Sequence, residues 1–170
     1  MKIRTQIFRT GCIAAVALAV GSSPIAAKEP AAPERPYGGS CSAIVTVLNP
    51  GVFPQELRID LDCTLRHLGR TNGVAFQIVS IAGPLVGTIL PVSIVNETTY
   101  RAANGDLLFQ DFAGTGEIDL ATGNVTFAGT ETFAGGTGRF LNAIGTAEAE
   151  GTASIFTNLG FYTTLGTLGY

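Results

Sequence analysis

Phe133-Ala-Gly-Gly-Thr-Gly-Arg-Phe140, followed by Leu141-Asn-Ala-Ile-Gly145, is the stretch on which the reading of this chain turns. It lies between two runs rich in Thr, Ala and Gly. Three glycines in four residues permit positive φ, and Arg139-Phe140 then restart an extended chain, so the stretch reads as a turn between two strands. The related segments Phe112-Ala-Gly-Thr115 and Phe127-Ala-Gly-Thr130 precede it. The C-terminal half reads as a series of related hairpins.

Outward from that turn the same pattern continues. Ser93 to Ala102 is expected to pair with Leu107 to Gly116 across Ala103-Asn-Gly-Asp106, where Asn-Gly is a strong hairpin signal. Glu117 to Leu120 runs into Ala121-Thr-Gly-Asn124 and returns as Val125 to Phe133. Ile144 to Ser154 and Ile155 to Tyr170 supply the closing strands. Upstream, Leu57, Ile59, Leu61, Cys63 and Leu65 alternate with Arg58, Asp60, Asp62, Thr64 and Arg66. Period two over nine residues is a strand with one face in a core. Before it, Ser40 to Leu48 is a strand ended by Asn49-Pro-Gly51. After it, His67-Leu-Gly69 is a break, Arg70-Thr-Asn-Gly73 reads as a bend or bulge, and Val74 to Ile81 is extended. Ala82 to Val92, broken by Pro84, Gly87 and Pro91, reads as an irregular crossing or a short edge strand. No stretch after residue 27 sustains a helical period. Seven or eight strands joined by turns define an antiparallel barrel or sandwich.

Residues 1–27 have the layout of a secretory signal. Lys2, Arg4 and Arg9 precede the apolar run Gly11 to Gly21, and Ser22-Ser-Pro-Ile-Ala-Ala27 is a small-residue exit. The apolar run is about half the roughly 20 residues of a transmembrane helix. The expected address is secreted or periplasmic. Residues 28–39, with three prolines and mixed charge, read as a tether, leaving 40–170 as the folded domain. The leader holds three of the chain's 10 basic residues and none of its 13 acids, so the exported part is acidic. An acidic chain with scattered Arg lacks the clustered cations that nucleic acid requires. Two cysteines follow the leader, Cys41 and Cys63, and in an exported chain such a pair is expected to be bridged. A closed loop of about 23 residues is worth roughly 3 kcal/mol on the chain-entropy view.

Gly135-Gly-Thr-Gly-Arg-Phe140 with Ala143-x-Gly145, preceded by the Asn104-Gly-Asp106 hairpin, resembles the allene oxide cyclase and dirigent-type barrels. The His67-Leu-Gly69 break also resembles secreted bacterial members. The resemblance spans most of residues 41–170. It implies one antiparallel eight-stranded β-barrel with a central cavity and assembly as a homodimer or homotrimer. The positions that match, Gly135, Gly136, Gly138, Phe140 and Gly145, are turn and packing residues. The family's catalytic acids have no matching motif here, so no catalytic residue is carried over.

The candidate sites are few. His67, the chain's one histidine, sits between Arg66 and Arg70 and reads as a strand-end residue making one hydrogen bond. Glu117 with Asp119 and Glu148 with Glu150 are i, i+2 pairs sharing a face, and together with Glu131 they read as solvated acids. Asp60 and Asp62, between Arg58 and Arg66, read as surface ion pairs. Gly135-Gly-Thr-Gly138 lacks the following helix that a phosphate cradle needs. No metal-ligand spacing or cofactor motif is present, and neither is expected. Tyr162, Thr164, Gly166, Leu168 and Tyr170 alternate as outer-membrane strands do, but without Trp or an apolar outer band no stable membrane insertion is expected. The leading expectation is a non-catalytic module that binds a small apolar ligand in the barrel. A cyclase- or dirigent-like enzyme is the first alternative, and a structural or surface-interaction protein the second.

Overall fold

A computed structural model describes residues 33–170, which form a closed barrel of eight antiparallel strands in chain order. The strands are β1 (Glu34–Val47), β2 (Gln55–Leu65), β3 (Gly69–Ile81), β4 (Ile89–Arg101), β5 (Leu107–Asp119), β6 (Asn124–Gly136), β7 (Ile144–Ser154) and β8 (Leu159–Gly169). Each pairs with its neighbour in sequence, and β1 pairs with β8, so no strand edge stays open. The expected eight-stranded architecture is the one found. The signal reading of residues 1–27 and the first part of the tether lie outside the described residues.

The tether is shorter than its composition implies. β1 starts at Glu34, so Glu34 to Gly39 belong to the barrel, where they pair with Thr164 to Gly169 of β8. Tyr37 is fully buried and meets Phe133 edge-on at 4.7 Å. Pro36 is tolerated because β2 pairs with β1 only from Gly39 onward; beyond that point the Pro36 carbonyl accepts a hydrogen bond from His67 Nε2 at 2.9 Å. Gly39 is needed for close approach, since a Cβ there would run into the Thr64 carbonyl.

Alternation decides what each strand puts inside. Leu57, Ile59, Leu61, Cys63 and Leu65 of β2 face inward as their spacing predicts. Cys41 and Cys63 are register partners on β1 and β2, both buried, with Cα atoms 4.1 Å apart, and they form a disulfide. Arg70 to Gly73 is regular strand, not a bend. Its Thr71 hydroxyl donates to the Arg101 carbonyl, and the missing side chain of Gly73 makes room for the Tyr100 ring. The segment read as irregular resolves into a loop, 82–88, and the start of β4. Tyr162, Thr164 and Leu168 lie on the inner face of β8, so the C-terminal alternation marks the barrel core.

One end of the barrel is filled. The β6–β7 connection contains a 3₁₀ turn, Gly138–Phe140, that drives the Phe140 ring into the interior, where it is fully buried and 5.0 Å from Tyr170. Tyr37, Leu65, Leu68, Leu108, Ala143 and Leu168 pack in the same cluster. Gly138 takes φ 55° so that the turn can close over Asp106, which accepts a hydrogen bond from the Arg139 backbone N–H at 3.2 Å. The Arg139 guanidinium donates to the His67 carbonyl at 2.6 Å and lies over the Phe140 ring. The turn therefore ties the β2–β3 and β4–β5 connections to one plug.

The disulfide sits beside this plug and closes a short loop. Reduction of Cys41–Cys63 is expected to lower unfolding stability by about 3 kcal/mol while the barrel persists. Denaturant unfolding followed by circular dichroism, with and without reductant, measures the loss.

Candidate functional site

The opposite end is open. Above the plug the barrel encloses a cavity of about 490 Å³, walled mainly by Ala43, Val45, Leu57, Val79, Ile94 and Phe112. Its volume falls within the range of small-molecule sites, about 300–1,000 Å³. The space exists because β7 contributes only small residues to the inner face: Ala147, Ala149, Gly151 and Ala153. The four loops at the mouth, 48–54, 82–88, 120–123 and 155–158, contain no charged residue. They expose Val52, Phe53, Leu85, Val86, Leu120, Ile155 and Phe156 around the entrance. The connections at the closed end carry Arg66, His67, Asp106 and Arg139 instead.

The cavity floor is polar. Gln77, Asn96, Thr98, Gln110, Glu131 and Tyr162 face it from β3, β4, β5, β6 and β8. Asn96 donates to Gln77 at 3.4 Å, and the Thr98 hydroxyl donates to Asn96 Oδ1 at 3.0 Å. The hydroxyls of Tyr100 and Tyr162 are 2.6 Å apart. Glu131 is 2% exposed. Its one protein hydrogen bond comes from the Thr164 hydroxyl, 2.7 Å from Oε2. Thr164 stands on β8 and reaches past β7 because the intervening inner residues are Ala147 and Ala149.

Burial disfavours the ionised form of Glu131 and, against the opposing pull of Thr164, raises its pKa from an ordinary 4.5 to about 7. Burial is also the main reason that the Tyr37, Tyr100 and Tyr162 hydroxyls are held well above their ordinary value; the nearby Glu131 charge adds to it. A carboxyl poised near neutrality in an apolar pocket can donate a hydrogen bond, accept one, or transfer a proton.

Glu131 is the correction to the sequence reading, which grouped it with solvated acids. On β6 the inward set is Val125, Phe127, Gly129, Glu131 and Phe133, so the carboxyl stands in the apolar phase of its strand. Gln110, between Leu108 and Phe112 on β5, does the same. That intrusion of a polar residue into an apolar phase was the available signal. The other acids are outside: Glu117, Glu148 and Glu150 are exposed, and Asp119 is held below the ordinary carboxylate range by hydrogen bonds from Thr88, Thr122 and the Ala121 amide. Asp60 pairs with Arg58 at 2.7 Å, and Asp62 pairs with Arg70 at 3.1 Å, not with Arg66. His67, at φ 72°, belongs to the closed end and does not line the cavity. Gly135, Gly136 and Gly145 flank the plug, with Gly135 at φ 86° and Gly145 at φ 141°. Among the described residues no cluster of His, Cys, Asp and Glu is placed to hold a metal ion. No known protein family, curated protein or solved structure matches the chain.

The buried carboxyl makes stability depend on pH with a definite sign. Unfolded, Glu131 ionises near 4.5; folded, it ionises at about 7. Between those values the folded state keeps a proton that the unfolded state has released. Stability therefore falls as pH rises through that window and is lowest above it. Glu131→Gln is expected to remove the slope, gaining about 3 kcal/mol over wild type at pH 8 relative to pH 4 in denaturant unfolding. Parallel pH profiles for the two proteins would contradict the placement of this carboxyl.

Proposed function

We propose that the protein binds one small, largely apolar molecule inside the barrel. The observation that carries this reading is the apolar cavity, open at one end through an uncharged mouth and sealed at the other by Phe140. The similarity of Gly135–Phe140 and Ala143-x-Gly145 to the allene oxide cyclase and dirigent-type barrels supports the same class of ligand. Export fits the leader-like residues 1–27 and the Cys41–Cys63 bridge, because such bridges persist in oxidising compartments. The outer faces of the strands carry Arg58, Asp60, Asp62, Glu97, Asp111 and Glu148, which supports a barrel surrounded by water, not lipid.

A second reading is favoured by Glu131 alone. A general acid or base works best with a pKa near the working pH, and this carboxyl meets a ligand-sized space at the required value. In that reading the barrel steers a reactive intermediate and Glu131 moves its proton. Binding is the more economical proposal, because the Tyr162 hydroxyl on the same floor is held well above its ordinary value and no nucleophile with a lowered pKa stands beside Glu131 among the described residues.

Native mass spectrometry of protein purified gently from its own host is expected to show an added mass of one small molecule per barrel, lost on denaturation. Ala75, a buried wall residue, offers the control. Ala75→Phe fills the cavity and is expected to abolish the added mass while costing about 1–3 kcal/mol of stability. Retention of the same mass by that variant would place the ligand elsewhere.

A further inference from the structure

We propose that Gln110 and Glu131 form a hydrogen-bonding anchor for the carbonyl oxygen of an otherwise apolar ligand. The inference rests on the cavity-binding reading above and adds the chemistry of the ligand's polar end.

Gln110 is 2% exposed and lines the cavity, yet its Nε2 has no hydrogen-bond partner. A buried donor without an acceptor is disfavoured by about 1–3 kcal/mol, whereas an oxygen with a free lone pair is tolerated more readily. Its carboxamide can present either the oxygen or the NH2 group to the cavity by a half-turn about its last bond. Gln110 faces Phe133 and Glu131 faces Phe112 in the β5–β6 ladder, so Gln110 and Glu131 are diagonal neighbours on the inner face.

The rest of the floor adds donors. Thr164 already occupies Oε2 of Glu131, which leaves the other oxygen to bear the proton whenever the carboxyl is neutral. In the Tyr100–Tyr162 pair one hydroxyl donates to the other, and the acceptor keeps a proton of its own to place. Tyr37 also has an unpartnered hydroxyl, but it lies below the floor and does not line the cavity. An acceptor entering from the mouth would satisfy the Gln110 amide and the Glu131 acid together. A ketone, aldehyde, ester or carboxylic acid carbonyl offers two lone pairs and suits that pairing. The walls above the floor are mainly hydrocarbon, so most of the remainder of the ligand is too.

The test uses two probes of matched shape, cyclododecanone and cyclododecane, in competition with an apolar fluorescent dye at pH 6. Wild type is expected to bind the ketone about tenfold more tightly than the hydrocarbon, the advantage of a hydrogen bond formed in a desolvated site. The carbonyl stretch of the bound ketone is expected to shift to lower wavenumber. Gln110→Met keeps the side chain's length and removes its donors. It is expected to lose most of the ketone preference. Equal affinity of wild type for both probes would overturn the anchor and leave the cavity reading standing. Failure of both probes to bind wild type would overturn the two together. If Gln110→Met keeps the full preference, the assignment to Gln110 is wrong. Should that variant not fold, the wild-type comparison and the carbonyl stretch decide the matter alone.

Discussion

The barrel depends on one pairing, β1 with β8. Seven of the eight ladders join neighbours across a turn and are local; this one joins Glu34–Ile44 to Leu159–Gly169 across the length of the domain. It brings Tyr37 under the interior and removes both free edges. Without it the inner face of a twisted sheet would stand open to water, and neither a sealed end nor an enclosed cavity would exist. The cavity is a consequence of closure, and its size is a consequence of what closure brings inward.

What comes inward divides the barrel into two halves of different character. The lower half is crowded with Tyr37, Tyr100, Phe133, Phe140 and Leu168 and is stapled by the disulfide. The upper half receives Ala and Gly from β7 and leaves volume unfilled. Between them lies the polar floor. A buried carboxyl is unfavourable when charged, and hydrocarbon on one side with only Thr164 as partner does not reverse that. The barrel accommodates Glu131 by holding its proton until the pH approaches about 7. A buried, unsatisfied amide beside it is a second departure from a well-satisfied core, and both departures face the same empty space. Such departures are expected where structure is held for binding or chemistry, not for stability.

The fold was legible because strand signals in this chain are local. The alternation of Leu57 to Leu65 specifies extended chain and the Asn104-Gly105 hairpin a turn without reference to the rest, whereas the repeated Phe-Ala-Gly-Thr segments, which resemble the Gly-rich turn, lie in the middle of β5 and β6. Two elements were misread for a shared reason. Pro36, Gly38 and Gly39 look like tether, and Asn72-Gly73 looks like a bend, but each is regular strand because a neighbouring strand distant in sequence or in register fixes it. The site was harder still. The phase of β6 shows Glu131 on the apolar side, yet alternation alone does not say whether an acid there is near the rim or in the centre. Its depth follows from register and closure, which set Thr164, Tyr162 and Gln110 around it from two other strands. His67 shows the converse: conspicuous in sequence, it serves a backbone carbonyl at the closed end.

The central claim is that one carboxyl at the floor of the cavity keeps its proton up to about pH 7. Carbon NMR of protein labelled at the glutamate side-chain carboxyls, titrated from acid to alkaline pH, tests it directly. One resonance is expected to titrate with a midpoint near 7 and to be missing from Glu131→Gln. If every glutamate carboxyl titrates in the ordinary range, Glu131 is solvated and the account of the site is wrong.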